Sequence, residues 1–110
     1  MSRSEIEKIG QKIDSGKPKL DLVTPECIFG MAEVLTAANK KYTPNSWQNV
    51  EEGISLHYSA LMRHLLMWKA GELNDQETGL SHMKHVLTNA MFLLYHEEHK
   101  LKPKLTFVPQ

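Results

Sequence analysis

The chain has a single cysteine, Cys27, so no disulfide can form within it, and that usage is compatible with a reducing compartment. It has no net charge, because 13 Lys and Arg balance 13 Asp and Glu. This argues against non-specific binding to duplex nucleic acid, where a basic excess supplies most of the affinity. No apolar run approaches the ~18 residues of a transmembrane helix, and no signal-peptide apolar core is seen, so the expectation is a cytoplasmic protein with no membrane partner. The sequence also lacks a Gly-rich phosphate loop, a Cys/His zinc pattern, a nucleophile elbow and the His-Asp doublet of HD phosphohydrolases. It has no internal repeat and no low-complexity segment.

What remains is an ordinary globular composition, 41% hydrophobic and 24% charged, in 110 residues read as one domain, 1–110. The charges are unevenly placed. Lys8, Lys12, Lys17 and Lys19 crowd the N-terminal segment, whereas Glu72, Asp75 and Glu77 share one loop. Such asymmetry suits a small anionic ligand handled with a divalent cation.

Residues 4–13 predict a short helix interrupted by Gly10, followed by a turn at Asp14-Ser15-Gly16-Lys17-Pro18 and an irregular stretch to Val23. Thr24-Pro25-Glu26 is a helix start, with Thr as N-cap, Pro in the first turn and an acid beside it, and predicts a helix over 25–40. Cys27 in its first turn reads as a packed small hydrophobe. A loop over 42–49 is anchored by Trp47, and a second helix, capped by Asn49 and Glu52, runs over 51–71 to Gly71. His57, Leu61, His64 and Trp68 form one stripe of that helix. A third helix over 79–98 has an apolar stripe of Leu80, Met83, Leu87, Ala90 and Leu94 and a second stripe of His82, His85, Asn89 and His96. Ser81, Lys84, Thr88 and Tyr95 read as its solvated sector, and the tail has a β-prone piece, 105–108. The expected fold is therefore all-α, a small helical bundle with a short N-terminal helix and three longer ones. Helices apolar on several sides predict a homo-oligomer, most simply a dimer.

The segment Arg63–Asn89 concentrates the chemistry, with Arg63-His64, Glu72-x-x-Asp75, Glu77-Thr78-Gly79, His82, His85 and Asn89 in 27 residues. Glu72 and Asp75 are the candidate metal ligands, since hard carboxylate oxygens three residues apart can share a cation; a solvated acidic turn is the alternative. His82 and His85 share a helix face and can ligate a transition metal, contact phosphate or form a buried pair between helices. Two antiparallel helices would bring them to His57 and His64. Arg63 can fork onto phosphate or pair with Glu72 or Glu77. Trp47 and Trp68 are base-stacking candidates or core aromatics. Asn89, costly in mid-helix unless satisfied, is expected to bond His85, a base edge or the backbone. His96 and His99 read as surface residues.

These residues resemble a family, mostly encoded by bacteriophages, of dATP/dGTP diphosphohydrolase N-terminal-domain-like proteins. The matching elements are Asp14-Ser15-Gly16-Lys17-Pro18, Lys41-Tyr42 with Asn45-Ser46-Trp47, Arg63-His64 before Gly71-Glu72, and Asp75, Glu77-Thr78-Gly79, His82, His85 and Asn89, over about residues 14–97. The resemblance implies a MazG-like pyrophosphohydrolase that uses Mg²⁺ to cleave a deoxynucleoside triphosphate to monophosphate and pyrophosphate, in a host cytoplasm. Glu72-x-x-Asp75 fits the second acidic motif of such enzymes. The first departs from pattern, since Glu51-Glu52 is followed by Gly53-Ile54-Ser55 and its third acid is missing. On this reading His64, His82 and His85 are the candidate catalytic groups, and Lys17, Lys41, Trp47, Arg63 and Asn89 bind substrate. The incomplete acidic set motivates an alternative, a non-catalytic protein that sequesters a nucleotide such as a cyclic signal of host defence. A third possibility is an interaction module whose polar helix face is an oligomer interface.

Overall fold

The structure is a computed structural model describing residues 2–6 and 16–99. Three long helices dominate it: α1 (Pro25–Ala38), α2 (Gly53–Lys69) and α3 (His82–Glu98). Short 3-10 turns occupy Leu20–Leu22 and Ser46–Asn49, and residues 3–6 are helical. There is no strand among the described residues, only a lone antiparallel bridge between Asn74 and Ser81. The architecture is the expected all-α bundle. Most of the first predicted helix, the start of the Asp14–Pro18 turn and the β-prone tail lie outside the described residues. No described helix is long and apolar enough to cross a membrane.

The helix ends show how local chemistry sets boundaries. Thr24 is the N-cap of α1 and Pro25 its first residue, as predicted, although the Thr24 hydroxyl lies against Cys27 Sγ (3.4 Å) instead of capping an N–H. Cys27 itself is half-buried. The start of α2 differs from expectation. Asn49 closes a 3-10 turn, and Glu52 is the N-cap residue of α2 but makes no side-chain capping bond and is held in the left-handed region at φ 56°. At its other end, Gly71 N–H donates to Trp68 O (3.0 Å) and Glu72 N–H to Met67 O (3.0 Å), the paired bonds of a Schellman stop. Gly71 carries the φ of +108° that this stop requires, so the helix ends two residues before Gly71, at Lys69. The chain then turns so that Glu72 and Asp75 come back beside α2.

α3 begins at His82, not at 79. Leu80 and Ser81 are drawn into the preceding loop by Asp75 N–H to Leu80 O (2.8 Å) and His82 N–H to Leu73 O (2.9 Å), and the Ser81 hydroxyl accepts from Met83 N–H as the cap. α3 is the central element, packed on α2 along one side and on α1 along the other, while α1 and α2 do not touch. Against α1, Lys84 crosses over the buried Gly30 and its Nζ reaches Glu33 Oε1 (3.0 Å).

What fills the α2–α3 contact reverses the expected packing. No hydrophobic side chain is fully buried among the described residues; the buried ones are His64, His82, His85, Thr88, Asn89 and His96. Two expectations are corrected here. Thr88, assigned to the solvated sector, is fully buried and bonds Lys84 O (2.8 Å); His96, assigned to the surface, is 2% exposed and stacks on His57. His99 is exposed, as expected. The stripe read as apolar core is itself largely outside, with Leu87, Ala90 and Leu94 exposed. The cause is topological: α3 has neighbours on two sides, and its histidine stripe is the side that faces α2. Trp47 anchors its loop as predicted, stacked on Phe92 at 4.3 Å, whereas Trp68 is exposed.

Candidate functional site

The two histidine stripes meet. His64 on α2 stacks flat on His85 of α3 (4.3 Å between rings, 7° apart), and its Nδ1 faces His82 Nδ1 at 2.9 Å. The other Nε2 of His82 lies 2.7 Å from Glu72 Oε1. A carboxylate only accepts, so the proton of a neutral His82 sits on Nε2 and its Nδ1 presents a lone pair toward His64.

Thr78 fixes a second tautomer. Its hydroxyl donates its one proton to Asp75 Oδ2 (3.0 Å), so toward His85 Nε2 (2.8 Å) and Leu80 N–H (3.2 Å) it must accept. His85 therefore carries its proton on Nε2. Thr78 N–H also donates to Asp75 Oδ2 (3.0 Å), closing a tight turn that Gly79 completes at φ +73°.

Charge follows from these contacts. Burial pushes the His64 imidazole down to about 4, reinforced by His85 and opposed by Asp75. Burial also lowers His85, again against Asp75. Asp75 is lowered: its partial burial works the other way, but the two Thr78 donors outweigh it. At neutral pH His64 and His85 are neutral imidazoles beside anionic Asp75.

These groups floor an open cleft of about 340 Å³ lined by Arg63, His64, Met67, Glu72, Asp75, Gln76, Glu77 and His82. Of the candidates read from sequence, it gathers Arg63, His64, Glu72, Asp75 and His82, with His85 stacked against His64. Arg63 is exposed and makes no ion pair among the described residues, so its guanidinium is available to an anion. Lys41 reaches only the rim, through a 2.8 Å pair with Glu77. Lys17, Trp47 and Asn89 do not line it. Asn89 is satisfied by the His85 carbonyl (2.8 Å), one of the roles expected for it, and Lys17 is exposed. Thr78, which the sequence shows only as part of a turn, is the residue that positions Asp75 and His85.

The fit to Mg²⁺ as a resident ion is poor. Glu72 Oε1 accepts from His82 and Oε2 from Gln76 (3.3 Å), and Asp75 Oδ2 from Thr78 twice. The donors that do converge, His64, Asp75 and His82, have ligand atoms within 4.8 Å of one another. Two imidazoles and one carboxylate do not make the all-oxygen shell Mg²⁺ prefers.

Comparison with known proteins points one way. The family described as dATP/dGTP diphosphohydrolase, N-terminal, matches residues 7–104. A dATP/dGTP diphosphohydrolase of Salmonella phage PMBT28 is 34% identical over 86 residues, 78% of this chain. The chain spans 29% of that relative's length. No solved structure matches it.

Proposed function

The chain belongs to the dATP/dGTP diphosphohydrolase N-terminal family, and from that premise we propose that its cleft binds a deoxynucleoside triphosphate, of the dATP or dGTP kind, and hydrolyses it to monophosphate and pyrophosphate. The observation that carries this reading is the Glu72–His82–His64 chain on the floor of the cleft, with the unpaired Arg63 beside it. Arg63 meets phosphate oxygens through its planar fork. His82 is oriented by Glu72, and His82 or His64 takes a proton from the attacking water. Water oxygen bonds to the α-phosphorus, the α–β bridging bond breaks, and pyrophosphate leaves with the bridging oxygen. Mg²⁺ enters here as the counter-ion carried on the triphosphate, offsetting its charge. Incubation with dATP or dGTP and Mg²⁺ is the test: pyrophosphate and the matching monophosphate are expected, and their absence overturns the reading.

A second reading is favoured by one observation. Glu51 and Glu52 precede α2, both exposed, and lie outside the cleft, so the paired acids that a MazG-like helix would present are not in the site. Sequestration of a nucleotide without turnover needs Arg63 and the histidines but not those acids. Tight binding without product would support it.

A further inference from the structure

We propose that His64, His82 and Asp75 form a binding site for a divalent first-row transition ion of the Zn²⁺, Co²⁺, Fe²⁺ or Mn²⁺ class, in preference to Mg²⁺. The three ligand atoms lie within 4.8 Å of one another, the two histidines are buried, and Asp75 is half-buried. The tautomer argument supplies the electrons. Because His82 gives its Nε2 proton to Glu72, its Nδ1 lone pair points into the cluster, 2.9 Å from His64 Nδ1. A bare arrangement of two ring nitrogens this close is held by one shared proton. An ion between them takes both lone pairs; the shared proton leaves Nδ1 of His64 and a proton is taken up on its other ring nitrogen, so that His64 remains neutral. Tetrahedral ligands at about 2.0–2.1 Å sit roughly 3.3 Å apart, so only a small opening of the pair is needed.

The surroundings have the supports such a site requires. Glu72 against the far nitrogen of His82 is the carboxylate–histidine pairing that fixes the ring and raises its basicity toward a metal. Thr78 locks Asp75 through two hydrogen bonds to one oxygen. Imidazole nitrogen favours Zn²⁺, Fe²⁺ and Co²⁺ over Mg²⁺, which prefers oxygen and gives up water reluctantly. Three protein ligands leave positions open toward the cleft. The role of Glu72 therefore differs from the one read in the sequence: it orients a ligand and does not itself ligate.

The proposal stands without any nucleotide, so its test contains none. The full chain, stripped with chelator, is titrated with Co²⁺ and then with Zn²⁺ and Mg²⁺. Expected are visible d–d bands saturating at one Co²⁺ per chain, displacement by Zn²⁺, and Mg²⁺ weaker by about 100-fold or more. Asp75→Asn and His82→Ala should abolish the bands, Glu72→Gln should weaken binding by about 10–100-fold, and the exposed His99→Gln should change nothing. Should the His82 variant fail to fold, paramagnetically shifted ring resonances from two histidines in the Co²⁺-loaded wild type carry the test. Absence of stoichiometric Co²⁺ binding, Mg²⁺ affinity equal to that of Zn²⁺, or bands unchanged in Asp75→Asn would each overturn the proposal. Metal binding without hydrolysis would strike the functional reading alone.

Discussion

Replacing Thr78 by Val, nearly the same shape without the hydroxyl, removes three hydrogen bonds at once, and their contexts set the cost. Leu80 N–H is exposed where it meets the hydroxyl, so water replaces that bond at little loss. His85 is 8% exposed, and its Nε2 proton would be left without its acceptor; an unmet buried donor costs about 1–3 kcal/mol. Asp75 loses one of two donors to the same oxygen. A bond to a charged group contributes roughly 1.5–3 kcal/mol, discounted here because the carboxylate is partly solvated and keeps the Thr78 N–H. The sum is about 2–4 kcal/mol, large against a typical domain stability of ~5–15 kcal/mol. Thr78→Ser keeps the hydroxyl and should stay within about 1 kcal/mol of wild type. Urea unfolding at fixed protomer concentration, so that any self-association is held constant, measures both variants. Nitrogen chemical shifts should also place the His85 proton on Nε2 in the wild type. If the Val variant unfolds like wild type, or the Ser variant falls as far as the Val variant, Thr78 does not hold His85 and Asp75 together.

Light scattering at micromolar concentration should show more than the 12.6 kDa protomer, because no hydrophobic side chain is fully buried among the described residues; a 12.6 kDa monomer would remove the argument. Arg63→Ala should weaken dATP binding by about 10- to 150-fold, and Arg63→Lys should also weaken it, since a point charge lacks the fork. Lys17→Ala should weaken it less, because Lys17 does not line the cleft; equal calorimetric affinities for wild type and Arg63→Ala would show that the site lies elsewhere. Stability should fall on acidification: burial lowers His57, and His64 and His85 shift the same way, so the unfolded chain binds more protons in acid. That contribution is complete above the unfolded pKa of about 6.5 and is lost as pH falls toward the folded values, at up to ~1.4 kcal/mol per pH unit per histidine. A melting temperature unchanged between pH 7.5 and 5, values chosen to bracket roughly that window, would refute it.

Much of the site was legible because helical spacing places residues on faces without knowing the fold. His82 and His85 share a face, His64 shares another, and a short connection makes the two helices neighbours, so their meeting followed from the sequence. Arg63, Glu72 and Asp75 came with them because they flank that connection. Periodicity could not say which stripe of α3 turns inward. The apolar stripe was the natural choice, and Thr88 and His96 were misplaced with it. Nor could spacing show that Thr78 bonds Asp75 and His85, since that depends on the pairing of Leu80 and Ser81 with residues 73–75, which delays the start of α3. Glu52 is the cap of α2, as its position suggests, but its left-handed backbone is not legible in the sequence, because residues other than Gly, Asn and Asp seldom adopt it.

The histidine seam and the exposed apolar faces are two sides of one arrangement. Ordering a residue costs about 1–2 kcal/mol of backbone entropy, which most domains offset with buried aliphatic surface. Here the α2–α3 contact is filled with imidazoles, whose burial returns less because each ring must also keep its polar atoms satisfied. Three buried ring nitrogens, His57 Nε2 and both of His96, have no hydrogen-bond partner. Meanwhile Phe29 is 70% exposed, and Ile28, Leu56, Leu66 and Leu94 are each more than half exposed. Those side chains are an unused reserve of apolar surface among the described residues. A second copy laid against them would supply apolar burial from outside, leaving the inner faces of α2 and α3 free to hold protonatable, metal-ligating groups at fixed distances. The predicted association and the predicted metal site therefore depend on the same inversion, and a variant that moved aliphatic side chains into the seam should weaken both together.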